Sequence, residues 1–361
     1  MKTSILKLTL LLFGTSLFAQ NTWTVDNRPG TTAQFTSAQA AHDAASPGDF
    51  IYIHPSPISY DNININKEIH LRGIGHNPEL TNGEFAKLST ISLRTDATAG
   101  TNASNSSISG LNIQTISDLN QAPFHNILIQ NNRIGQIGVY QIYNWIVQGN
   151  VFSGNTYSFV FNGTLHANNI ISHNIFNTNS TLNSSNSTIQ NLVASETFSN
   201  NIIITNSSTG SDIFFSNCNN PVVNNNLFLL NTNSTITRIN TFDSNINFQN
   251  CLTFAYGGQT IDPLTGTNNL DNINPMFVNI GTPENPAFAY NNSYKLQVDS
   301  PAIDTGSDGD DLGIYGQGFL FQMKGYPFDL PYPTSININN AVVEAGGNLE
   351  VVFKASANVE N

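Results

Sequence analysis

Six asparagines hold one place relative to apolar neighbours, and that regularity limits the folds open to this chain. Asn132, Asn150, Asn174, Asn201, Asn226 and Asn250 follow one another at spacings of 18, 24, 27, 25 and 24 residues. Two positions after each stands an apolar residue: Ile134, Phe152, Phe176, Ile203, Phe228, Leu252. Three positions before stand Ile129, Val147, Ile171, Phe198 and Val223, with Asn247 breaking the column. The next residue, Phe248, is apolar where the other units are polar, so the last unit slips by one residue. A period of this length with short apolar segments denotes a solenoid. Asn, Ser, Thr and Gly between the segments disfavour helix. The expected fold is all-β: a parallel β-helix with one coil per repeat and equivalent residues stacked at the ~4.8 Å strand spacing. Asn tolerates the left-handed conformation a bend requires, and stacked amides can bond to the coils above and below.

Charge narrows the partners. Only 10% of residues are charged and the net charge is -12, which excludes a nucleic-acid groove. Residues 1–19 read as a signal peptide: Lys2 and Lys7, an apolar run from Leu8 to Phe18, then Ala19. That run is too short for a membrane span and no later segment is longer, so the reading is of a secreted or surface protein without a transmembrane segment. Cys218 and Cys251 stand at different offsets from the repeat, which predicts two free thiols.

A solenoid needs its ends covered. Residues 35–45, closed by Ser46-Pro47-Gly48-Asp49, read as a short cap helix with Thr36 or Ser37 as N-cap and Phe50–Ile53 as the first strand. With Lys67-Glu68-Ile69-His70-Leu71-Arg72-Gly73, this opening resembles the pectate-lyase-like superfamily, which implies a right-handed parallel β-helix. Asn274-Pro275-Met276-Phe277, Ser300-Pro301-Ala302-Ile303-Asp304 and Asp311-Leu312-Gly313 resemble the endings of secreted bacterial members. The resemblance spans residues 22–318 and implies a β-helix domain over 20–318. Residues 319–361 read as a Pro-containing linker and a hairpin tail, with strands at 334–343 and 349–355. The superfamily includes lyases, hydrolases, adhesins and structural proteins, so the resemblance settles no activity.

Its lyases use an Arg or Lys base, often with Ca²⁺. Between Arg94 and Lys295 the only basic residues of those types are Arg133 and Arg238. The acids there, Asp118, Glu196, Asp212, Asp243, Asp262, Asp271 and Glu284, scatter around the repeat, whereas hydrolysis needs clustered carboxylates. Two constellations remain. His125 and Tyr143 share an offset on adjacent coils and, with Tyr140 and Arg133, could form a platform for a sugar ring. Asp304, Asp308, Asp310 and Asp311 form a Gly-rich acidic loop whose oxygens suit Ca²⁺, the single cofactor the sequence hints at. The function expected is non-catalytic binding of a polysaccharide or cell-surface glycan, or adhesion; the alternative is a divergent polysaccharide lyase or glycoside hydrolase. Oligomeric state is not legible.

Overall fold

The computed structural model describes residues 20–118, 123–154, 157–163, 165–178, 188–205, 214–239, 244–339 and 342–357. The expected signal peptide at 1–19, Asp212 and Asp243 lie outside these residues. The chain folds as a parallel β-solenoid. One sheet holds eleven parallel strands, from Thr22–Val25 through Leu128–Gln130, Ile146–Gln148 and Ile170–Ser172 to Gly266–Thr267. A second sheet of twelve strands wraps the other sides. Its long strand Arg133–Val139 pairs through its first residues with Val151–Phe152 and through its last with Phe159–Phe161, so one coil spans two faces. A short sheet, Phe124–His125 with Ile142–Tyr143, closes the section. No helix among the described residues is long and apolar enough to cross a membrane.

Interior columns follow the repeat. Leu71, Ile108, Ile129, Val147, Ile171, Phe198, Val223 and Phe248 are in register and fully or almost fully buried. Ile134, Phe152, Phe176, Ile203 and Phe228 form a second interior column, with Phe152 and Phe176 stacked at 4.5 Å. Its sixth place goes to Thr253, not Leu252, because the last unit does slip by one residue. Trp145 lies inside, its indole Nε1 donating to Phe124 O at 3.0 Å. At the N-terminal end, helix Ala38–Ala44 is capped by Ser37, whose side chain accepts from Ala40 N, and it buries Ala38 and Ala41.

The asparagine ladder is present, with the bend displaced by one residue from its expected place. Asn132, Asn150, Asn174, Asn201 and Asn226 are fully buried. Each of the first four donates Nδ2 and its backbone N–H to the next Oδ1, at 3.0–3.1 Å and 2.9 Å. These residues do not themselves take the left-handed conformation. It falls on the residue before each ladder place: Asn131, Gly149, His173, Asn200, Asn225 and Asn250 have φ between 51 and 67. Asn250 is thus a bend residue, and Cys251 takes the sixth ladder place, its N–H donating to Asn269 Oδ1 at 3.0 Å. Both cysteines are free and buried.

The bend side chains are covered by a strap from the C-terminal region, running back down the solenoid. Asn250 Nδ2 donates to Thr305 O at 2.8 Å, and Asn225 Oδ1 accepts from Ser307 N at 2.8 Å. His173 stacks on Phe319 at 4.4 Å, and Asn131 Nδ2 donates to Tyr326 O at 2.9 Å. Arg72 then ion-pairs with Asp329 at 2.7 Å. Gly149 sits where a Cβ would lie 3.2 Å from the Phe319 ring, so the close approach of strap and bend depends on that glycine. The stretch from residue 319 to 329, read from its prolines as a linker, is packed on the solenoid.

A second core explains this cover. Val151, Ile175, Ile202, Leu227 and Leu252 form a buried column on the outside of the second sheet, beneath Ala302, Leu312, Ile314 and Phe321. Beyond the strap, Tyr332–Ile338 and Val351–Ser356 form an antiparallel hairpin.

Candidate functional site

The outer face of the eleven-stranded sheet runs the length of the solenoid, from Thr22–Val25 to Gly266–Thr267. Strand residues alternate between interior and exterior, so each coil contributes two outward side chains here. One outward column runs Ser109, Gln130, Gln148, Ser172, Ser199, Asn224, Gln249, Thr267. The parallel column beside it runs Leu128, Ile146, Ile170, Thr197, Val222, Asn247. Ile146, Ile170 and Val222 are 37%, 41% and 45% exposed, a ribbon of apolar surface left in solvent. The face thus sets a line of partly exposed apolar side chains beside a column of amides and hydroxyls, of which Ser109, Gln130 and Ser172 are buried.

Toward the N-terminal coils the strap builds a wall on this face. Phe328 and Asp329 stand over Arg72, Ser107, Leu128, Gln130, Ile146 and Gln148, enclosing a cleft of about 450 Å³. Arg72 is fixed there. Its guanidinium donates Nε to Asp329 Oδ2 at 2.8 Å and Nη1 to Ser107 Oγ at 2.9 Å, and it lies over the Phe50 ring at 5.2 Å. The ion pair offsets the one cationic side chain lining the cleft, whose remaining lining is amide, hydroxyl, aliphatic and the Phe328 ring.

His125 and Tyr143 are cross-strand partners in the short sheet, rings stacked at 5.1 Å and 19°. Both are half-buried. Their shared offset does put them side by side, and their column passes on through Ala167. Asn126 and Asn144, both left-handed, turn the chain from this sheet toward the long one. Their exposed amides form a second ladder, Asn144 Nδ2 donating to Asn126 Oδ1 at 3.3 Å and Asn126 Nδ2 to Asn105 Oδ1 at 3.0 Å. The 21- and 18-residue spacings of Asn105, Asn126 and Asn144 carry this signal, hidden by the general abundance of asparagine.

Tyr140 and Arg133 are placed differently. Tyr140 lies at the corner before the short sheet, its backbone N–H and that of Gln141 held by Asp118 Oδ2 at 2.7 and 3.0 Å. Arg133 heads the outward column covered by the second core, so its guanidinium turns away from the stacked pair. It donates Nε to Ser153 Oγ at 3.0 Å and Nη1 to the Tyr290 hydroxyl at 3.3 Å. That hydroxyl lies 3.1 Å from His76 Nδ1. His76 is fully buried, which pushes its pKa down to about 3, so it is neutral. Burial raises the Tyr290 phenol against the opposing pull of Arg133.

The acids are used to hold backbone. Glu196 is fully buried and accepts from Asn169 Nδ2 at 3.0 Å and Val193 N at 2.8 Å, with His166 Nδ1 at 2.8 Å. Asp271 accepts from Leu264 N. In the acidic loop, Asp308 accepts from Asp310 N and from Gln317 Nε2, Asp310 from Asp311 N, and Asp311 from Asp304 N. The carboxylates thus serve the loop's own turns, and no group of three His, Cys, Asp or Glu among the described residues is placed to hold a metal ion. No protein-family model and no curated protein matches the chain.

Proposed function

We propose that this protein is a secreted or surface-displayed β-solenoid that binds glycans without turning them over, through the outer face of its eleven-stranded sheet. The observation carrying this reading is the pairing of two columns in register. Gln148, Ser199, Asn224 and Gln249 keep polar side chains accessible along one column, Gln130 and Ser172 in the same column being buried, and the exposed Ile146, Ile170 and Val222 run beside them. A polysaccharide also repeats along its length, so each added sugar meets another coil. The His125–Tyr143 stack, around the Asn126 and Asn144 bend, supplies an aromatic rim. A leader at 1–19 would deliver the protein outside the cell.

The second reading, a divergent lyase or hydrolase, draws on Arg133 meeting Tyr290 and His76. It is the weaker reading because these side chains sit against the C-terminal cover, where His76 is fully buried, and not on the open face.

The experiment is retention of the purified protein on immobilised neutral and acidic polysaccharides, with product release measured on the same samples. Retention weakened about tenfold by the pair Ile146→Ala and Gln148→Ala, without product release, is the expected result. Product release that Arg133→Ala abolishes would overturn it in favour of the enzyme.

A further inference from the structure

The hairpin beyond the strap has one apolar face in solvent. The register pairs Ile336 with Phe353 and Ile338 with Val351. Directly opposite residues share a face, so all four lie together, at 52%, 60%, 59% and 48% exposure. A two-stranded sheet is marginal alone, and among the described residues no further strand pairs with either edge. The edges differ. Tyr332–Ile338 carries Pro333, which blunts pairing; Val351–Ser356 has no proline.

The backbone phase of the open edge is fixed. Asn339 N donates to Glu350 O at 3.0 Å, so Glu350 and, two and four residues on, Val352 and Lys354 turn their backbone groups toward the first strand. Val351 and Phe353 turn theirs outward. An antiparallel pairing of this strand with itself about a two-fold axis at Val352 sets Val351 opposite Phe353 of the second copy. Both of those residues present outward donors and acceptors, so the hydrogen-bond phase is satisfied. The same register sets Lys354 opposite Glu350, two complementary charge pairs per dimer, and extends the apolar rows across the joint. A register one residue off in either direction joins outward-facing to inward-facing backbone groups. The charges and the hydrogen-bond phase therefore select the same alignment.

We propose that the Val351–Ser356 edge is a docking strand for a second copy of this chain, giving a symmetric dimer through a four-stranded antiparallel sheet centred on Val352. Such an arrangement would display two solenoids from one joint.

The test is sedimentation of the full chain over a range of concentrations, with variants that leave the solenoid untouched. The wild type is expected to associate. K354E, which sets Glu against Glu350 twice, should weaken the dimer about tenfold, and E350K/K354E should restore it. V351P removes an outward N–H without touching the hairpin's own ladder and should abolish it. V352C places two thiols across the axis at a close non-hydrogen-bonded pair and should yield a disulfide-linked dimer on mild oxidation, by a readout that also captures weak association. A chain that neither associates nor cross-links through V352C, a dimer indifferent to V351P, or a double variant no tighter than K354E overturns the proposal.

Discussion

Asn174 Nδ2 lies 3.1 Å from Asn201 Oδ1, and the same oxygen accepts the backbone N–H of Asn174 at 2.9 Å. That amide also donates to Val147 O and Ser172 O, each at 2.8 Å, while its own Oδ1 receives both donors of Asn150. Asn174→Ala would therefore orphan groups on three coils where water has no access. Orphaned buried polar groups cost more than the mean hydrogen bond contributes, so a loss of about 3 kcal/mol is expected in urea unfolding. A change within error would show that the ladder carries no stability.

His173 makes the fold sensitive to mild acid. It occupies a left-handed bend position where the neighbouring coils use Gly149 and Asn200, stacks on Phe319, and donates Nε2 to Gly316 O at 3.2 Å. Burial lowers its pKa from 6.5 to about 4. Above pH 6.5 both folded and unfolded forms are neutral. Between 6.5 and 4 the unfolded chain takes up a proton that the folded chain refuses, so stability falls as pH falls. The loss reaches about 3 kcal/mol at pH 4 from this group, and buried His76 acts in the same direction. Asp26, held at about 2 chiefly by its hydrogen bond from Arg28, contributes only to a further loss below pH 3.8. His173→Asn, which keeps a bend-compatible residue, should make the limb between pH 6.5 and 4 shallower by the His173 share, while leaving the His76 contribution and the loss below 3.8 in place. Unfolding free energies at a series of pH values would show it.

Phe319 is the point where the strap rests on the solenoid without hydrogen bonds of its own side chain. Aromatic pairs of this kind contribute about 1 kcal/mol beyond the area they bury. Phe319→Ala should raise amide exchange in the segment from 313 to 326 about tenfold, while the ladder amides of Asn150 and Asn174 keep their protection. Equal acceleration in both regions would mean that strap and solenoid open as one unit.

How legible these features are in the sequence depends on how local they are. The apolar columns and the ladder can be read because a stacked coil repeats one local pattern, as Ile171, Asn174 and Phe176 do. The identity of the left-handed residue cannot, since the ladder place and the bend place just before it are both filled mostly by Asn in this chain; His173 and Gly149 are the distinguishing residues. The strap is illegible because each of its contacts joins one side chain to a coil more than 50 residues away, with no period to mark it. Arg133 is misplaced by sequence for the same reason: its column is apolar on an outer face, which has meaning only once the second core is seen. The outer face of the long sheet reads as plain surface because Gln, Ser and Ile vary along it, although their register is strict.

Cys251 interrupts the ladder. Asn226 Nδ2 reaches only its Sγ, at 4.0 Å, while the Cys251 N–H still finds Asn269 Oδ1. Burial pushes the thiol up to about 12, so no thiolate forms near neutral pH. Cys218 is equally shut away, at 1% exposure. Neither thiol should react with an aromatic disulfide reagent in the folded protein, and both should react once urea unfolds it. Cys251→Asn would give Asn226 a carbonyl oxygen to donate to and Asn269 an amide below it, joining the two parts of the ladder. Its left-handed neighbour Asn250 already supplies the bend, so no backbone change is required. The variant is expected to gain about 1 kcal/mol in urea unfolding. A loss would mean that the site is too tight for the amide and that the smaller cysteine relieves the packing beneath Val223 and Gln249.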